Sequence, residues 1–313
     1  MCTAVVAVGG NALIVDNNHC TFADQYAAAV AAAAHLARLV ADGWRVVVTH
    51  GNGPQVGMYV RRGELAAAEL PMLPLDANVA ATQGELGYTL QQALANALHH
   101  RGLAPLVVSL VTQVVVDAAD PAFAAPSKPI GCFMDGATAA SLSDQYGWHI
   151  VEDGGRGWRR VVPSPEPCEV VELAALRRLL DAGAVVIAAG GGGVPVVRDA
   201  AGCLRGVEAV IDKDYASSQM AIALNADVLV ISTGIEQVAL NWGKPDQRLL
   251  SRLSICEAQD YLAAGQFPGG SMGPKIAAAV RYVRATGRDA IITAPHLLDA
   301  ALAGAAGTRI TID

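Results

Sequence analysis

Lysine is scarce in this chain and unusually placed. The sequence holds only Lys128, Lys213, Lys244 and Lys275, leaving 18 of its 22 basic residues as arginine. Where arginine serves almost every cationic need, a retained lysine marks a place for a compact ammonium that a planar guanidinium does not fit. Lys128 lies in Pro126-Ser127-Lys128-Pro129-Ile130-Gly131 and Lys213 in Val210-Ile211-Asp212-Lys213-Asp214. Lys244 lies in Asn241-Trp242-Gly243-Lys244-Pro245-Asp246, and Lys275 opens a helix after Gly270-Ser271-Met272-Gly273-Pro274. Each is hedged by Pro, Gly or Asp, and none sits on an amphipathic helix face, where solvated lysines normally lie. Such a set suits phosphoryl transfer. Charge on the transferred group spreads over its oxygens, so catalysis is mostly positioning and electrostatic stabilisation. Asp212 and Asp214 flank Lys213, either to orient lysines or to hold Mg2+ indirectly. For Lys244, a purely structural role in a fixed loop is equally open.

Glycine supplies the second chemical signal. Three strand-like runs end in glycine-rich turns, Gly9-Gly10-Asn11, Gly51-Asn52-Gly53 and Gly190-Gly191-Gly192-Gly193. Ligands of open parallel sheets bind beyond the carboxyl ends of the strands. Glycine there permits positive φ and close approach of backbone N–H groups to an anion, and a following helix adds its N-terminal partial charge. Three such turns point to a polyanionic ligand, most simply phosphate groups. The chain lacks GxxxxGK[ST], so it is no P-loop enzyme, and 190–193 does not read GxGxxG, so a nicotinamide dehydrogenase is weakly supported. His50, just before Gly51, fits an orienting or core role better than that of a base or metal ligand. Six cysteines at 2, 20, 132, 168, 203 and 256 form no CxxC pair and suggest neither a zinc site nor a disulfide framework.

The elements that must position these residues alternate along the chain. Strands are expected at Ala4–Val8, Arg45–Thr49, within Pro105–Val116, and at Ala184–Ala188, Asp227–Ser232, Ala290–Thr293 and Thr308–Ile312. Helices are expected at Phe22–Asp42, Gln55–Ala67, Asn78–His100, Glu169–Ala182, Tyr215–Asn225, Ile255–Ala264 and Pro274–Ala285. Continuous apolar strands between helices indicate a mostly parallel sheet covered on both faces. The stretch Asp120–Pro167, rich in Pro, Gly and Trp, breaks the rhythm and reads as an inserted lid subdomain. With 313 residues, 53% of them apolar and 16% charged, the chain can bury a sizeable core. A net charge of −7 without a basic block argues against nucleic acid or an anionic membrane as partner. No run spans a bilayer, and the start of the chain leads directly into a strand without a charged leader, so a cytoplasmic address is expected.

Taken jointly, these motifs resemble the carbamate kinases of the amino-acid-kinase superfamily over essentially the whole chain. The carriers include Val8-Gly9-Gly10-Asn11-Ala12-Leu13, His50-Gly51-Asn52-Gly53-Pro54-Gln55-Val56-Gly57 and Thr112-Gln113-Val114-Val115-Val116-Asp117. They continue through Ser127-Lys128-Pro129-Ile130-Gly131, the 152–159 and 161–165 runs, Gly190 to Val196, Gly206 to Asp214, and the segments around Lys244 and Lys275.

The resemblance implies a three-layer αβα sandwich around an eight-stranded, mainly parallel sheet, with a small protruding subdomain at about 120–163. It implies a single domain over 1–313, with an N-lobe at about 1–215 for carbamoyl phosphate, a C-lobe at about 216–313 for nucleotide, and a homodimer. The implied activity is reversible phosphoryl transfer between carbamoyl phosphate and ADP, giving ATP and carbamate, with Mg2+ held mainly through the nucleotide phosphates. By motif match, Gly9, Gly10, Asn11, Gly51, Asn52 and Gly53 line the carbamoyl phosphate site. Lys128 descends from the subdomain, Lys213 and Lys275 stabilise the moving group, and Asp214 orients them. Thr233, Gly234, Trp242 and Lys275 lie near the nucleotide. The chain departs from the expected pattern at Gly131-Cys132-Phe133, at Gly273 and Trp242, and in a short turn at 200–202. None of these changes removes a charged group. The alternatives are a related acid kinase with another small acceptor and a catalytically silent nucleotide-binding regulatory protein.

Overall fold

The structure, a computed structural model, describes residues 1–9, 21–153, 155, 157–267 and 272–313. Short runs of small and β-branched residues form the main sheet. In chain order these are β1 (Thr3–Val8), β2 (Arg45–His50), β3 (Val107–Ser109), β4 (Val185–Ile187), β5 (Val228–Ser232), β6 (Arg252–Ser254), β7 (Ala290–Thr293) and β8 (Thr308–Thr311). Their spatial order is β6-β8-β7-β5-β1-β2-β4-β3. Every neighbouring pair is parallel except β7 with β8. The helices are α1 (Phe22–Ala41), α2 (Gly53–Ala66), α3 (Leu75–His99), α4 (Gly136–Tyr146), α5 (Leu173–Asp181), α6 (Lys213–Leu224), α7 (Ile255–Ala263), α8 (Met272–Thr286) and α9 (Leu298–Leu302).

Strand β1 shows how three layers arise. Successive side chains of a strand point to opposite faces. Val5 and Ala7 join a core with Leu176 and Leu180 of α5, Met220 of α6, and Ile276 and Tyr282 of α8. Ala4, Val6 and Val8 join Leu36 of α1, Leu90 and Leu94 of α3, and Leu298 of α9. The expected αβα sandwich with an eight-stranded, mainly parallel sheet is therefore the observed architecture.

Two smaller sheets flank it. One orders Leu204–Gly206, Val194–Arg198, Gln113–Val116 and Pro167–Val170. The other is antiparallel, ordering Lys128–Met134, Trp158–Val162 and Ile150–Glu152, and with α4 it makes up the insertion. Ile130 and Val162 of the insertion share a buried cluster with Val56 and Val60 of α2 and with Val194, Val196 and Val210.

The structure revises several expected bounds. The 105–116 run is two strands, β3 in the main sheet and Gln113–Val116 in the flanking one. The helix expected from Glu169 starts only at Leu173, because Pro167–Val170 pairs with Gln113–Val116 and the Glu172 carboxylate accepts bonds from Gln113 N and Nε2 at 2.7 and 2.9 Å. A tertiary partner has overridden local propensity there. Helix α4 went unforeseen although its caps are present. Asp135 accepts from Thr138 N, and Gly147 closes the helix in the left-handed region. Strand β6 and the hairpin of Val238–Leu240 with Arg248–Leu250 also escaped the periodicity.

Candidate active site

The carboxyl edge of the parallel sheet collects most of the expected site. Val8 is in register with His50 on one side and Ser232 on the other, so Gly9, Gly51 and Thr233 emerge side by side. The chain leaves β1 toward β2 but leaves β5 toward β7, so the strand order reverses between β1 and β5. Such a reversal opens the crevice in which doubly wound sheets bind ligands.

Here the lysines converge. Asp212 is the N-cap of α6, its Oδ1 accepting from Asp214 N at 2.9 Å. Its other oxygen accepts from Lys128 Nζ at 2.9 Å. Asp214, in the first turn of α6, accepts from Lys213 Nζ at one oxygen and from Lys275 Nζ at the other, the latter at 2.8 Å. Lys275 comes from the first turn of α8. Three of the four lysines, carried by three separate segments, thus meet two adjacent carboxylates. With all five groups ionised, the cluster carries a net charge of +1, an electrostatic seat for an anion. Lys244 stays apart, exposed on the turn of the 238–250 hairpin.

Burial sharpens the electrostatics. Asp214 is only 3% exposed. Burial alone pushes its carboxyl up, but Lys213 and Lys275 outweigh this and hold it at about 2. Burial likewise raises Asp212 while Lys128 brings it below its usual range. Burial pushes the Lys213 ammonium below its usual value; Asp214 opposes that fall and Lys275 adds to it. All four carboxylate oxygens thus face a lysine or a backbone N–H. Among the described residues no three His, Cys, Asp or Glu side chains cluster as a metal site.

The remaining expected residues lie on several elements. Gly51 and Asn52 are buried, and Gly53 is the first residue of α2. Gly51 N donates to Val8 O, and Asn52 Nδ2 donates to Thr82 Oγ1 at 2.8 Å. The start of α2 carries no side-chain cap bond. Gly10 and Asn11 lie outside the described residues. Thr233 is tied to β7 through its N–H and Thr293 O, Gly234 is exposed beside it, and Trp242 is exposed on the hairpin turn with Lys244.

Gly190 to Gly193 behave differently from the expected phosphate turn. All four are buried, and a Cβ at each would strike a neighbour. Gly190 lies against the His50 ring, Gly191 against Asn52, Gly192 against the Ile211 carbonyl and Gly193 against Val114. Positive φ is needed at Gly191, Gly192 and Gly193, but not at Gly9, Gly51 or Gly53. The run is a packing floor that lets His50, Asn52 and the segment leading to Asp212 approach one another. His50 beneath it is sealed and neutral. Burial drives its imidazole down to about 4, the Gly51 carbonyl opposing and Lys213 adding to the effect. The orienting or core reading of His50 agrees with this placement.

Several further residues position these elements. Thr49, at the end of β2, bonds Ser217 of α6 at 2.6 Å, and Ser217 Oγ donates to Lys213 O. Gln83 of α3 makes two bonds to the Thr112 backbone, and Thr112 Oγ1 accepts from Ala189 N. Polar residues on the apolar face of α3, at 78, 82 and 83, were the available clue.

Comparisons with known proteins agree with this geometry. The family model described as the amino acid kinase family matches residues 3–294. A carbamate kinase-like protein of Escherichia coli K12 is 47% identical over 98% of both chains. A carbamate kinase of Thermococcus kodakarensis is 44% identical, again over 98% of both chains. The carbamate kinase of Giardia lamblia bound to AMP-PNP superposes with a TM-score of 0.93 at 39% identity, over 100% of this chain and 99% of that one. The chain belongs to the amino acid kinase family.

Proposed function

We propose that this protein is a carbamate kinase, a phosphotransferase that moves a phosphoryl group reversibly between carbamoyl phosphate and ADP, giving ATP and carbamate. The observation that carries the reading is the junction of Lys128, Lys213 and Lys275 on Asp212 and Asp214. Full-length similarity to several carbamate kinases supports it.

The chemistry suits the residues. A carbamate oxygen is already anionic, so the attacking atom has no proton to lose and no general base is required. What the step requires is neutralisation of the charge spread over the moving group. Lys213 and Lys275 supply it, while Asp214 spaces the two ammonium groups and offsets their repulsion. Lys128 brings a third positive charge from the insertion. Gly9, Gly10, Asn11, Gly51, Asn52 and Gly53 line the carbamoyl phosphate site in an N-lobe at about 1–215, and Thr233, Gly234 and Trp242 meet the nucleotide in a C-lobe at about 216–313. Mg2+ bound to the nucleotide phosphates neutralises part of their charge. The reading extends to a cytoplasmic homodimer forming ATP in arginine catabolism.

A second reading, an acid kinase with another small acceptor, draws support from two Escherichia coli relatives, 47% and 46% identical, that are called carbamate kinase-like. A coupled assay with ADP and Mg2+ separates the two. ATP formed from carbamoyl phosphate, but not from acetyl phosphate or acetylglutamyl phosphate, is the expected result. ATP from one of the other two donors alone moves the assignment to the second reading. No ATP from any donor leaves a silent regulatory protein.

A further inference from the structure

Helix α2 contains a glycine that works against its own stability. Glycine inside a helix is unfavourable relative to alanine, so its presence calls for a local reason. At Gly57 the reason is the insertion. Gly57 is buried, and a Cβ there would lie 2.3 Å from Gly131 Cα and 2.6 Å from Gly131 N. Ordinary carbon–carbon contact is about 3.5 Å, so the two backbones must separate by on the order of 1 Å to admit a methyl group. Gly131 has no give of its own. Its φ is +76°, it sits where the pairing of Lys128–Met134 with Trp158–Val162 slips register, and its carbonyl accepts from Arg159 Nε at 3.2 Å. Lys128 lies three residues upstream on the same strand, bonded to Asp212.

We infer that Gly57 is a positioning residue for the reaction: its bare Cα lets the insertion seat on α2 deeply enough for Lys128 to reach the Asp212–Asp214 junction. The inference rests on the reading of Lys128 given above. Beside this contact lies a cleft of about 280 Å3 between α2 and the insertion, lined among others by Val60, Arg61, Phe133, Trp148 and Arg160 and by none of the lysines. Gly57 and Gly131 are themselves among its lining residues, so the cleft adjoins their contact directly. Gly63, in the same helix, is the natural control, because a Cβ there would meet only Met72 Cγ, at 3.8 Å.

The test compares Gly57→Ala with Gly63→Ala by turnover and by lysine acylation. Four lysines in the whole chain allow each to be followed by peptide mass spectrometry under limiting acylating reagent. In Gly57→Ala, turnover should fall about tenfold to a hundredfold, the range for small misplacements of a catalytic group. Acylation of Lys128 should rise severalfold, with Lys213 and Lys275 unchanged, and Gly63→Ala should match the parent in both. Normal turnover in Gly57→Ala, or a uniform rise at all three lysines that signals general loosening, would overturn the inference. Full turnover in Lys128→Ala would instead remove the reading on which it rests, while the acylation pattern would still report whether Gly57 seats the strand.

Discussion

Asp214 holds two ammonium groups at fixed places with almost no access to solvent, and its neighbours depend on that charge. On the proposed roles, removing either cation takes away transition-state stabilisation of the kind that single oxyanion donors supply, so Lys213→Ala and Lys275→Ala should each lower turnover at least about a hundredfold. Circular dichroism should stay unchanged, and near-normal turnover in both would refute their roles. Lys128→Arg should also impair turnover, because a planar fork does not reproduce a point charge against Asp212. The pH profile offers a separate check. The Lys213 ammonium already loses its proton below the ordinary lysine value, and Asp214 opposes that fall. In Asp214→Asn that support is gone, so the alkaline limb of kcat should move to lower pH. An unmoved limb would assign it to another group.

Among the elements, the 190–193 run decides how closely β2, α2 and the segment before α6 can pack. Gly192 is the most constrained, with φ of +92° and a would-be Cβ 2.4 Å from the Ile211 carbonyl oxygen. Positive φ and overpacking each cost about 1–3 kcal/mol, so Gly192→Ala should destabilise the fold by about 3 kcal/mol or more. A drop in denaturant midpoint at constant slope would register this; an unchanged midpoint would mean that Ile211 yields freely. The glycines of this run are visible in the sequence, but the packing that requires them is not. A tetraglycine at a strand end looks the same whether it faces an anion or a neighbouring backbone. Only the packed neighbours His50, Asn52, Ile211 and Val114 distinguish the two.

At the scale of the whole molecule, two sealed groups contribute to the response to acid. His50 titrates near 4 in the folded chain against 6.5 unfolded, so the unfolded chain takes up the proton first. Its contribution, about 3 kcal/mol, is fully present above pH 6.5 and is lost as pH falls toward 4. Asp214 titrates near 2 against 3.8 unfolded, and contributes about 2 kcal/mol that is present above pH 4 and lost as pH falls toward 2. Denaturant midpoints should therefore decline in two successive windows. His50→Asn should flatten the upper window alone, and an unaltered slope there would place the titrating group elsewhere. The αβα plan, most strand positions and the lysines that meet at the junction were legible along the chain, because a buried parallel strand is a local apolar run and a scarce residue type can be counted. The small strands and α4 were not, since their pairing and capping partners outweigh weak periodicity. Nor was the junction itself. Lys128 stands 84 residues from Asp212, and Lys275 stands 61 from Asp214. The sequence supplied the ammonium and carboxylate groups; burial at the carboxyl edge of the sheet determined which of them meet, because removing charges from water is tolerable only when each finds its counter-charge.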